Sequence, residues 1–315
     1  MMTSAVRLPL STRRPLELRP RPPFRLDLTV WVLRRREQNA IDTWDGHSYR
    51  RALRVGGVPL ELAVTQVGPA TRPRLELVIA GRRTSSREDV ARAVLARLLG
   101  LDVDLSGFYA RAARDPILHD LAARYRGVKP PRFPSVFECL LNAVACQQLS
   151  LAAGLTLLSR LAAAAGRTAG SPRAFPEPSE ILRLAPRDLR GVGFSERKAA
   201  TILTLARAAE VGDFALERLA PLGDAAVRER LMRQPGIGPW SADYVLLRGL
   251  GRLHVFPWHD VGALNGLQRL LSATGSDDEP EAALVRFAPD AGLVYFHLLL
   301  RGLEQRGLLD RAASG

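Results

Sequence analysis

Over residues 25–82 the apolar positions come in short runs with a period near two, which predicts strands. Residues 26–33 alternate. Residues 49–55 lead to a turn at Gly56-Gly57, and 60–67 follow; after a Gly-Pro break, Leu75–Ile79 runs to Gly81. Ser85 and Ser86 with Asp89 signal a helix start that feeds 90–99. The fold class expected for this part is α+β, an antiparallel sheet with at least one helix.

From about residue 101 the period changes to that of helices. Short ones are predicted over 105–113 and 117–125, and the Pro-rich stretch 129–134 is a stiff linker. Ser135 caps a long helix whose buried side carries Val136, Phe137, Leu140, Leu141, Val144 and Ala145. A further helix covers 152–161. Residues 166–178 form a Gly/Ser/Pro loop, and short helical turns follow at 179–184 and 186–189. A glycine turn at 191–195 opens 196–209. The last helices are predicted over 224–234, 239–249, 261–271, 279–287 and 292–304, with His297 reading as a core histidine. The expected organisation is a basic tail over 1–24, an α+β domain over 25–104 and a mostly α region over 105–315.

Composition narrows the partner. A chain of 315 residues can bury a real core. Its net charge of +13 suits a polyanion. The excess is nearly all arginine, since Lys129 and Lys198 are the only lysines. Residues 1–24 carry Arg and Pro with almost no acid and are expected to stay disordered. Cys139 and Cys146, the only cysteines, are spaced to pack as small hydrophobes on one helix. Two thiols exclude a disulfide framework, a cysteine zinc site and four-cysteine iron–sulfur ligation. No uninterrupted apolar run is long enough to span a membrane.

The candidate chemistry gathers at 231–260. Pro235-Gly236-Ile237-Gly238 breaks the helix over 224–234, and Pro239 suits the first position of the next. A glycine turn at a helix start presents free backbone N–H groups and partial positive charge, so a phosphate can sit on it. Gly238, Trp240 and Ser241 are the expected amide donors. Such a contact holds a strand without reading its bases; the same residues also suit an ordinary turn between helices. Gln147, Gln148 and Ser150 end the long apolar helix, placed either to meet bases and phosphates or to face water. Trp240 and Tyr244, four apart on one helix face, are either core aromatics or the wall of a base pocket, with Trp258 behind them. Asp260, just before an apolar helix, is a good N-cap, and a helix mouth favours its ionised form.

These segments together resemble a known family. The Gly236–Ile237–Gly238 register, the link ending Phe256-Pro257-Trp258-His259-Asp260, and the FECLLNAVACQQLS stretch are similar to the helix-hairpin-helix DNA glycosylase superfamily. Within it they look most like the 3-methyladenine DNA glycosylase II branch, and RREQNAIDTWDGHSYRRAL resembles that branch's N-terminal domain. The resemblance implies an N-terminal α+β domain and two helical subdomains with Asp260 in the cleft between them. It implies hydrolytic release of alkylated bases of the 3-methyladenine and 7-methylguanine type from duplex DNA. Asp260 is then the catalytic carboxylate. Trp240 and Tyr244 line the base pocket. Gly236, Ile237, Gly238 and Ser241 grip the strand, and Gln147, Gln148 and Ser150 lie on the DNA face. No cofactor or metal is implied, and a cytoplasmic monomer is expected. Members that also cut the strand carry a lysine where Trp240 stands, so a monofunctional enzyme is expected. Gln148 replaces an apolar wedge of some relatives, and Asp290 a pocket aromatic. The alternatives are excision of another lesion, such as hypoxanthine or uracil, and a non-catalytic damage-binding protein.

Overall fold

The computed structural model describes residues 15–55, 58–80, 84–165 and 173–309. The Gly56-Gly57 turn and residues 166–172 of the expected loop lie outside them. The N-terminal part contains β1 (Leu16–Leu18), α1 (Leu26–Arg34), β2 (Thr43–Trp44), β3 (Ser48–Val55), β4 (Val58–Gln66), β5 (Leu75–Ile79) and α2 (Ser85–Leu99). The strands form one antiparallel sheet in the order β1-β5-β4-β3-β2. The alternation of β5 does what a half-buried strand must: Leu75, Leu77 and Ile79 face the core and Glu76 faces out. Thr84 rather than Ser85 caps α2, its hydroxyl accepting from the Arg87 N–H.

Two expectations are corrected here. Residues 15–24 are not a loose tail: β1 pairs with β5, and Phe24 is fully buried. Only 1–14 of that stretch falls outside the described residues. Residues 26–33 are not a strand but the helix α1. Leu26, Val30 and Leu33 enter the sheet's core, while Leu28, Trp31 and Val32 enter a core shared with later helices. A helix apolar on two faces shows no single stripe, so its apolar run imitates the alternation of a strand.

The helical part follows. It comprises α3 (Ser106–Ala112), α4 (His119–Arg124), α5 (Val136–Cys146), α6 (Leu151–Ala165), α7 (Pro178–Ile181), α8 (Pro186–Val192) and α9 (Glu196–Glu210). Then come α10 (Leu216–Leu219), α11 (Asp224–Met232), α12 (Pro239–Tyr244), a π-helical turn (Val245–Leu250), α13 (Val261–Ala273), α14 (Pro280–Arg286) and α15 (Ala291–Glu304). Ser135 does cap α5, accepting from the Glu138 N–H at 3.1 Å. One core packs α5, α6, α8, α9, α11 and α12. A second packs α3, α4, α13, α14 and α15 against α1. The segment from the π turn to Asp260 joins the two cores, and the candidate site lies where its two ends, at α12 and Asp260, come together.

Candidate active site

The hairpin is built from two glycines with different duties. Gly236 has φ +82, and a Cβ there would meet the Thr201 hydroxyl at 2.5 Å, so α9 presses on it. Gly238 has φ −106 and caps α12; a Cβ there would meet nothing within 4 Å. The first glycine is needed by the fold, and the second leaves open space above the turn. Ile237 is buried between them and anchors the corner in the core.

The end of α5 is tied to this corner. The Gln147 amide donates to the Gly236 carbonyl at 2.9 Å and to the Ser241 hydroxyl at 3.0 Å. Ser241 is itself buried. The polar tips of Gln147 and Ser241 are therefore bonded to each other and to the corner's backbone. The Lys198 ammonium donates to the carbonyls of Gln147 (2.7 Å) and Ala145 (3.2 Å), a cation closing the negative end of α5. Gln148 is exposed with φ +54, and Leu149 beside it is 45% exposed. Ser150 accepts from the Ala153 N–H at 3.2 Å and opens α6.

Asp260 is half-buried at the mouth of α13. Its Oδ1 accepts from the Ala263 N–H at 3.0 Å. Its Oδ2 accepts from Trp240 Nε1 at 3.4 Å and from the Tyr295 hydroxyl at 3.2 Å. One oxygen thus caps the helix while the other is aimed by an indole and a phenol. Burial, with Asp260 adding to it, pushes the Tyr295 phenol well above its ordinary range, so this hydroxyl keeps its proton and donates. Trp258 packs on Phe256, and His259 next to the cap is exposed.

Trp240 and Tyr244 do face each other, ring centroids 5.4 Å apart. Trp240 is half-exposed, but Tyr244 is only 2% exposed. The accessible aromatic face is Trp240's, with Tyr244 behind it. Tyr244 is held from beyond: its hydroxyl accepts from Arg35 Nη1 at 3.2 Å and donates to Asn142 Oδ1 at 3.3 Å. The π turn that continues α12 carries Arg248, fully buried over the rings of Phe133, Tyr244 and Phe296. Such turns recur at functional sites.

The site therefore joins Asp260, Trp240, Tyr244 and the 236–238 corner. It adds Tyr295, Asn142 and Arg35, which the sequence pattern did not mark. Tyr295 sits in the apolar run of α15, and only its contact reveals it. Asp290 belongs elsewhere: it accepts from Arg111 Nε at 2.6 Å and lines a cleft of about 520 Å³ that contains neither Asp260 nor Trp240. Among the described residues no cluster of His, Cys, Asp and Glu could hold a metal ion, and no helix is long and apolar enough to cross a membrane.

A glycine corner, a carboxylate at a helix mouth and an electron-rich ring beside it make a class known from DNA repair. Residues 141–289 match the model of the HhH-GPD superfamily of base excision DNA repair proteins, and the chain belongs to that superfamily. More particularly, residues 15–135 match the AlkA N-terminal domain. Among curated relatives, a putative DNA-3-methyladenine glycosylase of Bacillus subtilis is 34% identical over 146 residues, 46% of this chain and 50% of the relative. A second Bacillus subtilis protein, a DNA-3-methyladenine glycosylase, is 31% identical over 58% of this chain and 62% of its own length. The chain thus spans between half and two thirds of these two. The Escherichia coli DNA-3-methyladenine glycosylase 2 is 28% identical over 75% of this chain and 80% of its own. Among solved structures, the 3-methyladenine DNA-glycosylase of Archaeoglobus fulgidus superposes with a TM-score of 0.76 at 24% identity, covering 94% of this chain and 100% of that one. That likeness establishes the fold.

Proposed function

We propose that this protein is a monofunctional DNA glycosylase that releases alkylated bases, of the 3-methyladenine and 7-methylguanine type, from damaged duplex DNA. The observation that carries this reading is the Asp260 carboxylate, half-exposed at a helix mouth and aimed by Trp240 and Tyr295 beside the glycine corner. A base inside the stack is out of reach, so it is extruded at a cost of roughly a few kcal/mol. The strand's phosphate lies on the open Gly238 turn, and Leu149, exposed next to Gln148, is the apolar side chain available to fill the gap in the stack.

In the reaction the C1′–N bond breaks and its electron pair goes to the base. A cationic alkylated base leaves neutral, and positive charge appears on the sugar. Asp260 stabilises that charge where it develops. It also orients a water whose oxygen bonds C1′ and whose proton is released through the carboxylate. The Trp240 ring stacks the base, and its electron-rich face favours a cationic one by roughly 0.5–2 kcal/mol. Schiff-base chemistry finds no free lysine amine among the described residues. Trp240 occupies the position of the lyase lysine, Lys198 is bonded to two carbonyls, and buried Lys129 donates to the Val103 carbonyl at 2.6 Å. Work on duplex DNA implies a place wherever the genome is kept.

The test is incubation with methylated duplex DNA and chromatography of the freed bases. Wild-type protein is expected to release 3-methyladenine and 7-methylguanine without cutting the strand. Asp260→Asn is expected to lose release by at least a hundredfold while retaining affinity for the duplex. Near-normal turnover of that variant would remove the carboxylate from the mechanism, and a borohydride-trapped adduct would overturn the monofunctional assignment.

A further inference from the structure

The Trp240–Tyr244 pair has a carboxylate at one end and a cation at the other. Arg35 directly follows α1, in a left-handed conformation with φ 55, and is 4% exposed. A non-glycine residue there is strained, and a buried guanidinium is costly to desolvate, so two unfavourable terms coincide on one residue. Arg35 Nη2 donates to Asn142 Oδ1 at 2.6 Å and Nη1 to the Tyr244 hydroxyl at 3.2 Å, while its Nε has no partner. Its partners are neutral dipoles. The acid that feels it, Asp42, uses its Oδ1 for Tyr49 and Arg51. Structural stability does not account for a buried cation with no carboxylate bonded to it, since removing the charge would spare the desolvation.

The order of contacts supplies another reason. Asp260 Oδ2 meets the indole N–H of Trp240, the indole stacks on Tyr244, and the Tyr244 hydroxyl meets Arg35. A base stacked on the open face of Trp240 with its C1′ toward Asp260 has the carboxylate at its sugar and, behind the two rings it stacks on, the cation. The carboxylate acts on the sugar directly, and the cation acts on the base through the Trp240–Tyr244 stack. We propose that Arg35 is the base-side charge of this site: it stabilises the electron pair arriving on the departing base and thereby sets which bases the site releases. The proposal rests on the glycosylase reading.

The effect differs with the charge of the base. A neutral base becomes negative as the bond breaks, so Arg35 lowers the barrier for it. The overall reaction balances because water delivers its oxygen to C1′ and its proton, through Asp260 or solvent, to the base. A base that starts cationic is repelled on binding and relieved as it leaves neutral. For it, Arg35 raises kcat and KM together and changes kcat/KM little. Half a unit charge about 10 Å from a full one, at the effective dielectric of a protein site, corresponds to roughly a fourfold change in rate.

Release of cationic 7-methylguanine and of neutral hypoxanthine from defined duplexes is to be measured for wild type, Arg35→Gln and Arg35→Lys. Gln keeps hydrogen bonding to Asn142 and Tyr244 without charge; Lys keeps charge without the fork. Wild type is expected to release both bases. Arg35→Gln is expected to lose about fourfold in kcat/KM on hypoxanthine and much less on 7-methylguanine, whose KM falls. Arg35→Lys is expected to recover part of the hypoxanthine rate. Equal losses on both bases in Arg35→Gln would make Arg35 a scaffold for Tyr244 and overturn the proposal. If Arg35→Gln does not fold, Arg35→Lys decides alone: a hypoxanthine-to-7-methylguanine ratio near that of wild type supports the proposal, and a ratio about fourfold lower in spite of the retained charge overturns it. Wild type that releases 7-methylguanine but no hypoxanthine overturns it too, whereas release of neither would sink the glycosylase reading itself.

Discussion

A single side chain can be held in place by the role it performs. Asp260 keeps one oxygen for its helix and holds the other between two neutral donors. His297 shows the opposite case, a titratable group kept for packing. It is fully buried between the rings of Phe108 and Tyr125; Nδ1 donates to the Leu293 carbonyl at 2.8 Å and Nε2 has no partner. Burial pushes its pKa down to about 4, against a smaller upward pull from that carbonyl. The unfolded chain takes up a proton near pH 6.5 that the folded chain refuses until about pH 4. Stability is therefore complete above about pH 6.5 and falls as the pH drops toward 4, by up to about 3 kcal/mol from this group. His297→Phe keeps the ring and removes the proton site. Urea unfolding at pH 7 and pH 4.5 is expected to show a clearly smaller acid loss in the variant. An unchanged loss would put the acid sensitivity elsewhere.

At the scale of an element, the hairpin separates folding from binding within three residues. Gly236→Ala forces a Cβ onto Thr201 at a left-handed φ, which is expected to destabilise the protein by about 1–3 kcal/mol. Gly238→Ala meets nothing and has an ordinary φ, so the free protein is expected to keep its Tm. A methyl there intrudes on a phosphate seated on the turn, so affinity for duplex DNA is expected to fall at least severalfold, alike for all sequences. Fluorescence anisotropy with two unrelated duplexes measures this, and unchanged affinity would show that no phosphate sits there. This turn and Asp260 were legible because their chemistry is local: Gly, Pro and a cap residue act within a few positions. The strands over 48–55, 58–66 and 75–79 were legible for the same reason. What was missed depends on the distant partner. α1 is buried on two faces, so its apolar run imitated alternation. Tyr295, Asn142 and Arg35 meet Asp260 and Tyr244 across 35, 102 and 209 positions, and no pattern within one helix reveals such a meeting.

Across the whole molecule the N-terminal sheet and the helices are held as one unit by buried charge as well as by the core that α1 shares. Arg51 on β3 is 1% exposed and bridges Asp42 at 2.6 Å and both oxygens of Glu138 on α5, at 2.5 and 2.6 Å. The Tyr49 hydroxyl adds a bond to the same Asp42 oxygen at 2.7 Å. Arg54 reaches from β3 to Glu180 on α7 at 2.8 Å, and Arg97 on α2 donates to the carbonyls of Phe133 and Gly249. Arg35 travels on this frame, so the geometry at Tyr244 depends on the sheet being docked. Arg51→Met leaves two buried carboxylates facing each other without a cation. Breaking such a group from one side costs about 3–5 kcal/mol. Because the cut lies between the halves, circular dichroism and the fluorescence of Trp31, Trp44, Trp240 and Trp258 are expected to shift together in urea. Adding Glu138→Gln removes one of the stranded charges and is expected to restore part of the loss. A helical signal that keeps its wild-type midpoint in Arg51→Met while the sheet melts early would show two independently stable halves instead.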